Sequence, residues 1–181
     1  FPFEWGNYAE LVNFDCDYQT GPGWAFGSIG AGNFYNSGSN DNFFKYYSHS
    51  VHRANYHYYL VNKITTIPEK TKNNALGELC FLKAWAQFQL VQYFGPIPLF
   101  KRSISEGNVP EQPRASVKEV YEYIIETLKE AETLLVPRTD PEYKKGHVCR
   151  GTAKALLAKV YATIGSASMP SGKITVKGGP G

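Results

Sequence analysis

The sequence predicts a mostly α-helical chain, built from antiparallel helix pairs with long irregular loops. Three observations carry that prediction. Apolar residues recur at spacings of three and four along four stretches between residues 43 and 164, which places them on one face of a helix. A proline or glycine closes each stretch: Pro68, Gly95-Pro96, Pro137 and Gly165, the residues that stop helices. Hydrophobic residues make up 43% of the 181 residues and charged ones 19%, enough apolar surface for one domain to bury a core.

Residues 1–42 read as a loop-like, aromatic and glycine-rich region. Gly21-Pro22-Gly23-Trp24, Gly27-Ser28-Ile29-Gly30-Ala31-Gly32 and Asn36-Ser37-Gly38-Ser39-Asn40 are turn punctuation. The helical core is expected over 43–165, with 166–181 a loop or truncated end.

The first helix, about 43–64, aligns Tyr47, Val51, Ala54, Tyr58 and Val61. The second, about 72–94, is apolar around most of its circumference: Leu76, Leu79, Cys80, Phe81, Leu82, Trp85, Phe88, Leu90, Val91 and Phe94. Only a narrow stripe at Lys83 and Gln87 is polar, so this helix belongs between other helices, with Trp85 in the core. The third helix opens on Ser116-Val117-Lys118-Glu119, a capping box in which hydroxyl and carboxylate each accept from the other residue's backbone N–H. Val117, Val120, Tyr121, Ile124, Leu128, Ala131 and Leu135 form its apolar stripe. The fourth, about 150–164, carries Ala153, Leu156, Leu157, Val160, Tyr161 and Ile164, with Gly165 as the expected C-cap.

Helix pairs of this length are the units of tetratricopeptide-like stacks. The strict repeat pattern is missing, and the connection over 95–115 is long for such an array. Long insertions between regular helices commonly serve a partner or ligand.

Composition excludes several function classes. The net charge is +3, and Lys and Arg never run longer than two residues (Lys101-Arg102, Lys144-Lys145). A groove that tracks nucleic acid needs many phosphate contacts. No stretch of roughly 18 apolar residues offers a membrane span. The three cysteines, Cys16, Cys80 and Cys149, are far apart and form neither a disulfide framework nor a C-x-x-C metal pair. Both ends read as cut: Phe1-Pro2-Phe3-Glu4 is no signal peptide, and Lys177-Gly178-Gly179-Pro180-Gly181 terminates no recognisable element.

Several motifs then occur in one order. Arg53-Ala54-Asn55 precedes Gly77-Glu78-Leu79-Cys80-Phe81-Leu82-Lys83-Ala84, which continues to Leu90-Val91-Gln92-Tyr93-Phe94-Gly95-Pro96-Ile97-Pro98-Leu99. Arg114-Ala115-Ser116-Val117-Lys118-Glu119-Val120-Tyr121 follows, then Lys145-Gly146 and Thr152-Ala153-Lys154-Ala155-Leu156-Leu157-Ala158-Lys159-Val160-Tyr161. Together these resemble the signatures of the SusD/RagB family over residues 43–164. His147 stands where the family usually has Arg after Gly, Cys80 replaces a small or polar residue, and the family's C-terminal half is missing.

The resemblance implies a non-enzymatic, lipid-anchored subunit on the outer face of the outer membrane, its anchor upstream of this chain. Such a subunit covers a SusC-like TonB-dependent transporter and captures oligosaccharide, or peptide in some members. A purely structural scaffold that docks proteins is a further alternative. Family ligands lie on aromatic platforms, which makes Trp24, Phe26, Phe34 and Tyr35 the candidate binding residues. A glycine-rich loop presents large aromatics without burying them, although packing beneath the loop is the bland alternative. Each platform contributes about 2 kcal/mol at most, so a few of them bind weakly.

Other constellations carry less. Asp15-Cys16-Asp17 lacks the spaced carboxylates of a calcium loop. His49 and His52 share a face without a neighbouring acid or cysteine, so packing or solvation is expected in place of zinc. The glycines of 27–32 lack the Gly-Lys-Ser/Thr ending of a phosphate loop. No nucleophile elbow is present, and Asp15, Asp17 and Asp41 do not make a defined glycosidase pair. No cofactor or metal is expected.

Overall fold

A computed structural model describes residues 38–107 and 111–167. The helices are α1 (Gly38–Lys63), α2 (Glu69–Phe94), α3 (Val117–Leu134) and α4 (Arg150–Ala167). Two short strands, β1 (Ile97–Pro98) and β2 (Arg114–Ala115), lie between α2 and α3. None of the described helices is long and apolar enough to cross a membrane.

The chain divides into two compact units, residues 1–49 and 50–181. In the described part of the first, Phe43 and Tyr47 are buried and their ring centroids lie 4.6 Å apart. The remaining observations concern the second unit.

Successive helices run antiparallel, as their contacts show. Tyr58 of α1 packs near Cys80 of α2, while Lys72 donates to the carbonyls of Asn62 (2.6 Å) and Ile64 (2.9 Å) at the other end. That ammonium satisfies carbonyls that the end of α1 leaves open. Between α2 and α3, Gly77 faces Leu134 and Leu135, and Phe88 meets Tyr121 edge-on at 6.1 Å. Arg150 N–H donates to Val136 O at 3.0 Å, and Lys154 reaches Glu132 at 3.3 Å, which sets α4 against α3.

The core lies along α2 and α3. Phe88, Val120, Ile124 and Leu128 are fully buried, each worth about 1.5–3 kcal/mol of transfer free energy. A second apolar cluster joins Cys80, Ala131, Leu135 and Ala153, with Tyr58, Phe81 and Val148 packed on it. The capping box forms as read: Ser116 Oγ accepts from Glu119 N–H at 3.3 Å, and the Glu119 carboxylate accepts from Ser116 N–H at 2.8 Å.

Five expectations are corrected. Helix α1 starts at Gly38, so the Gly38-Ser39-Asn40 punctuation is its first turn. Helix α2 starts at Glu69, because Pro68 occupies the N-cap and the chain turns helical at once. Gly165 lies inside α4, which runs to Ala167. Trp85 is only half-buried. Most consequentially, the polar stripe of α2 faces inward: Lys83 is 7% and Gln87 1% exposed, while Leu82 is 46% exposed.

The long connection after α2 has its own order. Gly95, at φ 63°, turns the chain in the left-handed region that glycine adopts freely. Ile97 pairs with Ala115 and Pro98 with Arg114 in an antiparallel ladder. A 3₁₀ turn, Ile104–Glu106, has its own Ser103–Glu106 capping box. Asn55 Nδ2 donates to Phe100 O (2.9 Å) and Arg102 O (3.3 Å), and Tyr123 Oη donates to Lys101 O (3.1 Å). The connection is thereby tied to α1 and α3, and the Asn55 amide is the physical content of the Ala-Asn motif.

Candidate functional site

The candidate platform residues Trp24, Phe26, Phe34 and Tyr35 lie outside the described residues, as do Trp5, Asp15, Cys16 and Asp17. His52 is placed: its ring packs on Phe100 with centroids 4.5 Å apart. Among the described residues, no three or more His, Cys, Asp or Glu side chains gather as a metal site.

Two polar groupings emerge in the second unit. The first surrounds Lys83, whose ammonium lies 5.6 Å from the Tyr58 ring centroid and 5.5 Å from that of Tyr123. Tyr58 Oη donates to Glu130 Oε1 at 2.7 Å. Two electron-rich ring faces thus stabilise a lysine that is almost removed from water. Burial, then the bond to Glu130, raises the Tyr58 hydroxyl's pKa, so it stays protonated and keeps donating.

The second grouping is a cleft of about 490 Å³ between the first half of α2 and the connection from α3 to α4. Thr71, Asn74 and Glu78 form its helical wall; Glu142, Tyr143, Lys144 and His147 form the other. His147 Nδ1 lies 3.1 and 3.2 Å from the two Glu78 oxygens. Asn74 donates to Glu78 at 3.2 Å and accepts from Val136 N–H at 3.0 Å. Lys70 bridges Asp140 at 2.8 Å and Glu142 at 3.4 Å, and its ammonium holds the Asp140 carboxyl below the ordinary range. These contacts, from Lys70, Asn74 and Glu78, fasten the connection along α2 at intervals of four residues on one helix face.

Burial pushes the Cys80 thiol up to about 12, far from the thiolate that nucleophilic chemistry needs. Cys149 is shifted the other way, first by the Thr152 hydroxyl 3.4 Å from its sulfur and then by backbone N–H groups of the α4 first turn. It is buried, and its thiol faces the helix that it starts.

Neither grouping was singled out from sequence. For Lys83 the available signal was a basic residue within an otherwise apolar Phe-Leu-Lys-Ala run; for the cleft it was Glu78 beside Gly77 and His147 in place of Arg.

Comparison with known proteins bears on these features. Residues 28–162 match the profile of the SusD-like family described as "Starch-binding associating with outer membrane". A SusD-like protein of Bacteroides ovatus is 29% identical over 96 residues, which are 53% of this chain and 17% of that protein. The crystal structure of a SusD-like protein from Bacteroides fragilis superposes with a TM-score of 0.62 at 30% identity, over 69% of this chain and 24% of that one. A laminarin-binding SusD-like protein superposes with a TM-score of 0.61 at 26% identity, over 69% of this chain and 27% of that one. The chain spans less than a fifth of the curated relative's length and about a quarter of the solved structures.

Proposed function

Because the chain belongs to the SusD-like family, we propose that it is part of a cell-surface subunit that binds oligosaccharide and delivers it to a SusC-like, TonB-dependent outer-membrane transporter. The observation that carries the glycan reading is the likeness in both fold and sequence to a laminarin-binding SusD-like protein. The helices form a scaffold on which half-exposed polar clefts and loops meet ligand. The protein is held at the outer face of the outer membrane by a lipid anchor upstream of this chain, and it has no catalytic role.

Within this reading Trp24, Phe26, Phe34 and Tyr35 are the aromatic platform, their rings lying against the apolar faces of sugars. The test is retention of immobilised laminari-, malto- and xyloglucan oligosaccharides, beside a peptide pool, by this chain. Binding of a glycan class with loss in Trp24→Ala, at unchanged thermal stability, is expected. Retention of peptides alone would replace the glycan by a peptide. A Trp24→Ala variant that loses thermal stability would return Trp24 to the core.

A further inference from the structure

The cleft between α2 and the connection from α3 to α4 divides its polar groups into two sets. Thr71, Asn74 and Glu78 are engaged with protein, as is Lys70 beside the cleft: Thr71 with Glu142, Asn74 with Val136 and Glu78, Glu78 with His147, and Lys70 with Asp140 and Glu142. The Tyr143 hydroxyl, the Lys144 ammonium and His147 Nε2 have no protein partner among the described residues. The engaged set holds the walls in place, and the other set is available to a ligand, which is how a binding site limits its ordering cost.

We infer that this cleft is a saccharide subsite for one or two neutral sugar rings, formed by residues other than the candidate platform residues Trp24, Phe26, Phe34 and Tyr35. The inference rests on the glycan-binding reading above and extends it. Size agrees, since about 490 Å³ falls within the roughly 300–1,000 Å³ of small-ligand pockets. Charge disfavours an anionic ligand: the lining carries two carboxylates, Glu78 and Glu142, against one lysine, Lys144. Chemistry selects hydroxyls, which both donate and accept. The Tyr143 hydroxyl offers either role, the Glu142 carboxylate accepts, and Lys144 donates. Tyr143 adds an aromatic face, the kind of surface on which the apolar side of a sugar rests.

The experiment is an NMR titration of the chain with methyl β-glucopyranoside, followed by laminarihexaose. Saturable shifts at the backbone amides of Thr71, Asn74, Tyr143 and His147 are expected with the monosaccharide. Tyr143→Ala should weaken that binding by about threefold to tenfold, the effect of one lost ring contact, at unchanged melting temperature. Tyr161→Ala, on an exposed part of α4, should leave it unaltered. Equal binding by Tyr143→Ala, or shifts confined to other residues, would overturn the subsite. Laminarihexaose bound without any shift in this cleft would overturn the subsite and leave the glycan-binding reading standing. No binding of either sugar would overturn the subsite, and the malto- and xyloglucan oligosaccharides above would then decide the glycan-binding reading.

Discussion

Gly77 stands directly against Leu135: a Cβ on Gly77 would lie 2.9 Å from Leu135 Cγ and 3.1 Å from its backbone nitrogen. The Gly of the Gly-Glu motif is therefore a contact residue between α2 and the end of α3. Glu78, next in the chain, reaches the opposite wall of the cleft through His147.

Gly77→Ala tests that contact. Overpacking costs about 1–3 kcal/mol, partly offset by the roughly 1 kcal/mol that Ala gains over Gly in a helix. A net loss of about 1 kcal/mol and a melting temperature lower by several degrees are expected. A melting temperature equal to or above wild type would show that α3 yields to the extra methyl at no cost.

Gln87 is fully buried, and neither polar atom of its amide meets a protein partner among the described residues. An unsatisfied buried group costs about 1–3 kcal/mol. Gln87→Met, similar in shape and free of that requirement, should raise stability by about 1 kcal/mol in chemical denaturation. A fall in stability would mean that ordered water inside the bundle satisfies the amide.

Ser116→Ala removes the N-cap of α3 and should cost about 1 kcal/mol at neutral pH. The Ser116 hydroxyl, then its backbone N–H, holds the Glu119 carboxyl below its ordinary pKa. A depressed carboxyl stabilises the fold above the unfolded value of about 4.3 and loses that contribution as pH falls through the lower folded value. The gap between wild type and Ser116→Ala should accordingly narrow in acid. A gap constant from neutral pH down through that range would contradict the link between Ser116 and Glu119.

Cys80 offers a probe of the core. Its side chain is 0% exposed, and burial pushes its thiol up to about 12. Iodoacetamide at pH 8 should leave Cys80 unmodified in the folded chain and label it readily in denaturant, as peptide mass spectrometry would record. Rapid labelling without denaturant would mean that the cluster with Ala131, Leu135 and Ala153 opens locally.

Sequence alone determined what depends on neighbours along the chain. The capping box at Ser116 and the stripe Val120, Tyr121, Ile124, Leu128 and Ala131 mark α3 unambiguously, because capping and helical periodicity are local. The ordered motifs from Arg53 to Tyr161 were likewise sufficient for the family. Tertiary structure decided which side of α2 is interior. That helix is apolar around most of its circumference, so no single face is marked for burial, and only the flanking α1 and α3 turn Lys83 and Gln87 inward and leave Leu82 in solvent. The cleft was illegible for the same reason. Asn74 and Glu78 meet Val136 and His147 across 62 and 69 residues of chain, and such pairings exist only once the helices have packed.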